Sequence, residues 1–77
     1  MPRYRLIEWD MDNGEVLYRE EFEAKDIEEA LKYLESIVKD AEKEGWECEP
    51  TPNGDYICVK EKEGYPIQRQ LLIEEVN

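Results

Sequence analysis

This sequence predicts an α+β fold: a mainly antiparallel sheet in the order ββαββ(β), with one long helix packed on one face. Three observations predict it. A single apolar stripe with helical period runs through the middle of the chain, an Asn-Gly pair lies on either side of it, and alternating apolar and polar segments flank each pair.

The elements follow in order. A first strand, Tyr4 to Asp10, and a second, Glu15 to Phe22, surround Asn13-Gly14, the strongest short-range hairpin signal. A two-residue loop would set Trp9 opposite Tyr18 and Met11 opposite Val16. Ile7, Trp9, Met11, Val16, Tyr18 and Phe22 would then share one face, and an odd loop would split Trp9 from Tyr18. The helix is expected over Ile27 to Glu44, where Ile27, Ala30, Leu31, Leu34, Ile37, Val38 and Ala41 fall at i, i+3, i+4, i+7 spacing. Asp26 stands at the N-cap with Glu29 three residues on to complete a capping box, and Gly45 follows as the C′ stop. Glu28 with Lys32 and Glu35 with Lys39 add roughly a few tenths of a kcal/mol each. A third strand, Trp46 to Pro50, and a fourth, Asp55 to Glu61, surround Asn53-Gly54. Lys62-Glu63-Gly64 then turns the chain into Ile67 to Val76, which fits a strand through Ile67, Leu71 and Ile73 or a short helix through Leu72, Ile73 and Val76; the strand is favoured because a β-hairpin with a Gly turn is the shorter connection.

The cysteines depend on the register of the second hairpin. A three-residue loop, Pro52-Asn53-Gly54, sets Cys48 opposite Cys58 and makes a disulfide conceivable, but moves Ile57 and Val59 onto a face with Glu47 and Glu49. An even loop clusters Trp46, Cys48, Ile57 and Val59 instead. Burying Ile57 and Val59 is worth ~1.5–3 kcal/mol each, comparable to a favourable disulfide at ~2–4 kcal/mol. The even register and unpaired thiols are therefore expected, the more so in a reducing compartment.

The chain has 77 residues, with 10 Lys+Arg against 21 Asp+Glu, no histidine and a formal net charge of −11. That length predicts one domain over residues 1–77 with one core. Such charge is also a signature of disorder, but the apolar residues are periodic rather than scattered. The longest apolar run, Tyr56-Ile57-Cys58-Val59, is far short of the ~20 residues that a membrane helix needs, and no signal region follows Met1-Pro2-Arg3-Tyr4-Arg5. A cytoplasmic location and no membrane partner are the expectation. The negative charge opposes binding to phosphate backbones. Arg3, Tyr4 and Arg5 form the only basic group with an interleaved aromatic and read as a charge-blunted edge strand.

No catalytic, cofactor-binding or metal-binding residue can be nominated. Without histidine there is no Ser-His or Cys-His system, the one serine is Ser36 on the exposed side of the helix, and the cysteines lack Cys-x-x-Cys spacing. Asp10-Met11-Asp12-Asn13-Gly14-Glu15 resembles a calcium loop only until its glycine is aligned, when the ligand positions fail, so a solvated hairpin tip is expected. No Gly-rich phosphate loop is present. The expectation is a non-enzymatic chain without cofactor.

With the helix laid over Trp9, Tyr18 and Trp46, the other sheet face would show Tyr4, Leu6, Leu17, Tyr56 and Cys58 among charges. Tyr4, Leu6, Leu17 and Tyr56 are the candidate interaction face, for a protein partner or for a second copy of the chain. The competing expectation is an acidic inhibitor or nucleic-acid mimic that occupies a basic protein partner. In its Glu, Lys, Tyr and Ile usage, its lack of histidine and the run Glu21-Phe22-Glu23-Ala24-Lys25-Asp26-Ile27-Glu28-Glu29-Ala30-Leu31, the chain resembles small acidic proteins of unassigned function from hyperthermophilic archaea. That resemblance implies thermostability, for which Glu/Lys-rich surfaces suit ion-pair networks, and names no activity.

Overall fold

The helix begins where the capping residues place it. Asp26 accepts a hydrogen bond from the Glu29 amide at 2.9 Å, and the Glu29 carboxylate reaches back to the Lys25 amide at 3.1 Å. Its far end is a Schellman turn: the Trp46 amide donates to the Ala41 carbonyl and the Gly45 amide to the Glu42 carbonyl, with Gly45 at φ +98°. The computed structural model describes residues 1–76, so Asn77, the last residue of the predicted domain, lies outside the described residues. Its elements are β1 (Arg3–Asp10), β2 (Glu15–Glu23), α1 (Ile27–Lys43), β3 (Glu47–Pro50), β4 (Tyr56–Lys62) and β5 (Tyr65–Val76). All neighbouring strands are antiparallel, in the order β2-β1-β5-β4-β3, and the helix packs on one face. The α+β class and the last segment's strand character are as the sequence predicts.

The first hairpin departs from the expected pairing. Asp10 pairs with Glu15, so the turn is Met11 to Gly14, closed by the Gly14 amide on the Asp10 carbonyl at 2.8 Å. The Asp10 carboxylate, which is buried, accepts from the amides of Asp12 at 2.9 Å and Asn13 at 3.2 Å and from the Asn13 side chain at 2.9 Å. Trp9 then faces Val16 while Glu8 faces Tyr18, which leaves Leu17 as the extra residue of a β-bulge. The bulge sends Tyr18 and Phe22 to the opposite face from Ile7 and Trp9, against the expected register.

The second hairpin takes the odd register, also against expectation. Thr51 and Asp55 close it through a backbone bond of 2.8 Å and a Thr51 hydroxyl to Asp55 carboxylate bond, with Gly54 at φ +89° donating to the Thr51 carbonyl. Cys48 lies opposite Cys58, and the two are joined by a disulfide. Ile57 and Val59 do move onto the face of Glu47 and Glu49, as the odd register requires, but both stay half-buried there.

The third correction concerns which face the helix covers. Leu34 and Val38 of α1 pack on Leu6, Cys58 and Leu71, with Phe22, Tyr33, Trp46, Tyr56 and Ile73 around them, and Ala30 meets Tyr4 and Ala24. Phe22 stands edge-on to Tyr33 at 4.8 Å between ring centroids. The helix therefore lies on the Tyr4, Leu6 and Tyr56 side, and Ile7 and Trp9 lie on the other.

Candidate interaction surface

Strand alternation and the observed register settle what the uncovered side presents. One row crosses the sheet as Val16, Trp9, Gln70, Ile57 and Glu49; the next sets Ile7 beside Leu72, with Arg19 across from Ile7; a third brings Gln68, Val59 and Glu47 into line. Ile7 is only 9% exposed, and Trp9, Ile57, Val59 and Leu72 are half-buried. No helix lies over this side among the described residues, so the shielding comes from side chains of the sheet itself.

The two ends of the patch differ in charge. At one end Arg3 pairs with Glu21 at 3.2 Å, and Arg5 bridges Glu21 at 3.5 Å and Glu74 at 3.2 Å. Hydrogen bonds from Arg3 and then Arg5 hold the Glu21 carboxyl below its usual range. The buried Arg5 Nε has no hydrogen-bond partner among the described residues. At the other end stand Glu47, Glu49 and Glu61, all exposed, with no ion pair among the described residues. An apolar centre thus lies between a compensated end and an uncompensated acidic one.

The nominated residues do not assemble into a surface. Tyr4 and Leu6 are 3% and 2% exposed beneath the helix, Tyr56 is half-buried on the same covered face, and only Leu17, at the bulge, is open at 44%. The uncovered side is lined instead by Ile7, Trp9, Ile57, Val59 and Leu72. A signal for them exists in β1: Arg3 and Arg5 alternate with Tyr4 and Leu6, and a pair of arginines belongs on the wet face.

Other polar groups have structural partners. The Tyr33 hydroxyl donates to Glu20 at 2.6 Å, and this bond, with burial, pushes its pKa up to about 12. Asp55 accepts from Thr51 and Gln70, and the Thr51 bond in particular holds its carboxyl below the usual range. Trp46 lies between two cations, Arg69 at 5.5 Å and Lys60 at 5.7 Å from the ring. Among the described residues, no group of three or more His, Cys, Asp or Glu is placed to hold a metal, and no helix is long and apolar enough to cross a membrane. Compared with known proteins, the chain matches no family model, no curated protein and no solved structure.

Proposed function

We propose that this chain is a small, non-enzymatic protein-interaction module that docks a partner on the uncovered sheet face. One observation carries the reading: Ile7, Trp9, Ile57, Val59 and Leu72 share one sheet face, with Gln68 and Gln70 among them and charged residues around, and among the described residues no element packs over them. Exposed apolar residues rimmed by polar ones are the usual anatomy of a docking surface. A cytoplasmic location belongs to the same proposal, with the Cys48–Cys58 bond kept oxidised as in intracellular proteins of hyperthermophiles. Thiol trapping in intact cells checks that part.

The competing role, an acidic inhibitor or mimic, draws on the net charge of −11 and on the uncompensated Glu47, Glu49 and Glu61 end. Capture from native lysate discriminates the two. Ile57→Thr with Val59→Thr keeps β-branched residues while removing apolar surface. Docking through the sheet face predicts that bound protein survives salt raised to a few hundred millimolar and is lost with the double variant. Capture retained by that variant and eluted by salt would establish the acidic role instead.

A further inference from the structure

Strand β5 is longer than either neighbour's share of it. On one side β1 pairs with Arg69 to Val76, and on the other β4 pairs only with Tyr65 to Leu71. Each end of β5 therefore extends past a neighbour, and the two overhangs are treated differently. Beside Gln68 the overhang is closed from within: the Met11 amide donates to the Gln68 carbonyl at 3.2 Å, and the Gln68 amide donates to the Asp12 carboxylate at 2.9 Å. From Leu72 to Val76 no strand lies on the β4 side among the described residues.

That open edge lines a cleft of about 340 Å³. Gln70 and Leu72 come to it from the uncovered face of the sheet, and Ile27, Leu31 and Ile73 from the helix side. A cleft that meets both faces is one seen edge-on, at the place where a neighbouring strand would lie. Its end wall is the turn at Asn53 to Asp55, held by the Asp55 carboxylate on Thr51 and Gln70. Ile27 is 48% exposed at its mouth.

From this geometry we infer that the Leu72–Val76 edge takes up an extended, basic peptide segment of a partner protein as an added strand continuing the line of β4. The inference rests on the reading of this chain as an interaction module, but uses a different site from the sheet face. Backbone groups of an unpaired edge are matched by another extended backbone, and alternate side chains of such a strand would enter the apolar cleft. Charge selects the occupant. Glu75 lies exposed on the edge strand itself and Glu28 at the adjacent helix start, with the Asp26 cap and Asp55 at the end wall beside them, while Glu74 is already paired with Arg5. The Tyr4 hydroxyl feels this field: burial first, then Glu75 and Asp26, raise its pKa. A second copy of the chain is a poor occupant, since a two-fold pairing of these edges would set Glu74 and Glu75 against their counterparts in molecules of net charge −11.

The test uses the intact chain and three synthetic peptides, read by amide chemical shifts. Acetyl-Lys-Val-Lys-Val-Lys-Val-amide is expected to shift the amides of Leu72 to Val76 together with Ile27. The same peptide with alternate residues N-methylated keeps the charges and side chains but loses backbone donors, and is expected to bind at least about tenfold more weakly. The Glu-Val counterpart is expected not to bind. In the chain, Glu75→Lys is expected to weaken the Lys-Val peptide about threefold. Equal binding of the N-methylated peptide, or no binding of the Lys-Val peptide, would overturn the inference. Shifts confined to Ile7, Trp9 and Ile57 would also overturn it while leaving the sheet-face reading intact. Shifts at Leu72 to Val76 that grow with the chain's own concentration, with dimer in sedimentation, would assign the edge to a second copy and overturn it too.

Discussion

The two faces of the sheet are built from the same five strands and both have apolar centres, yet only one is closed. On the covered face Tyr4, Leu6, Phe22, Cys58, Leu71 and Ile73 meet the buried stripe Ala30, Leu34 and Val38 of the helix. On the other, Ile7, Trp9, Ile57, Val59 and Leu72 share their side with Arg3, Arg5, Arg19, Glu21, Glu47, Glu49 and Glu74. Apolar content does not distinguish the faces, but charge does. Placing a helix over arginines and glutamates would desolvate them, whereas the charges of the covered face are paired or exposed: Glu8 and Asp10 meet Arg69, Glu20 accepts from Tyr33, Lys60 donates to the Glu44 carbonyl, and Glu75 is exposed. The face left open is the one whose charges need water, and its apolar centre is what a partner could cover.

Substitutions that act on one face and spare the other test this contrast. The largest effect is expected from Leu34→Ala, at a side chain with no exposure, which should cost about 2–5 kcal/mol in chemical denaturation. A loss under about 1 kcal/mol would mean that the helix does not close this face as described. Reducing the Cys48–Cys58 bond, or replacing both residues by serine, should lower stability by about 2–4 kcal/mol. Mass measurement of the unreduced protein should first show the two-proton deficit of the bond. Ile57→Thr on the open face should cost only about 1 kcal/mol, because its side chain is already partly exposed. A cost equal to that of Leu34→Ala would erase the distinction between the faces.

The smallest expected effect is one of pH. The Tyr33 pKa is raised from 10.0 to about 12 by its bond to Glu20, so folding favours the protonated phenol. Its contribution is fully present below pH 10 and is lost as pH rises from there towards 12. Ultraviolet titration should show Tyr33, with the buried Tyr4, ionising after the exposed tyrosines, and Tyr33→Phe should reduce that late step by one tyrosine.

What was legible in the sequence is what local chemistry decides. Asp26, Glu29 and Gly45 mark the helix because caps act within a few residues of themselves, and the strands follow from alternation and Gly turns. The two hairpin registers were not legible, because contacts from β5 stand behind both. Arg69 meets Asp10 at 3.4 Å, Gln68 bonds Asp12 at 2.9 Å, and Gln70 bonds Asp55. These partners are remote in sequence, and each anchors a turn on which parity depends. A single bulge at Leu17 and an odd loop at Pro52 to Gly54 then exchange the faces of Tyr18, Phe22, Ile57 and Val59, which is why Tyr4, Leu6 and Tyr56 were expected outside and lie within. The arginines of β1 carried the missing information, since their place on a strand shows which side must stay wet.

The two tryptophans report on different environments, Trp9 on the open face and Trp46 between Lys60 and Arg69 beside the helix core. Fluorine NMR of the fluorotryptophan-labelled chain, with and without its captured partner, therefore tests the central claim directly. Docking on the uncovered sheet face predicts that the Trp9 resonance shifts or broadens on binding while that of Trp46 stays in place. A partner that moves Trp46 and leaves Trp9 unchanged would contradict it.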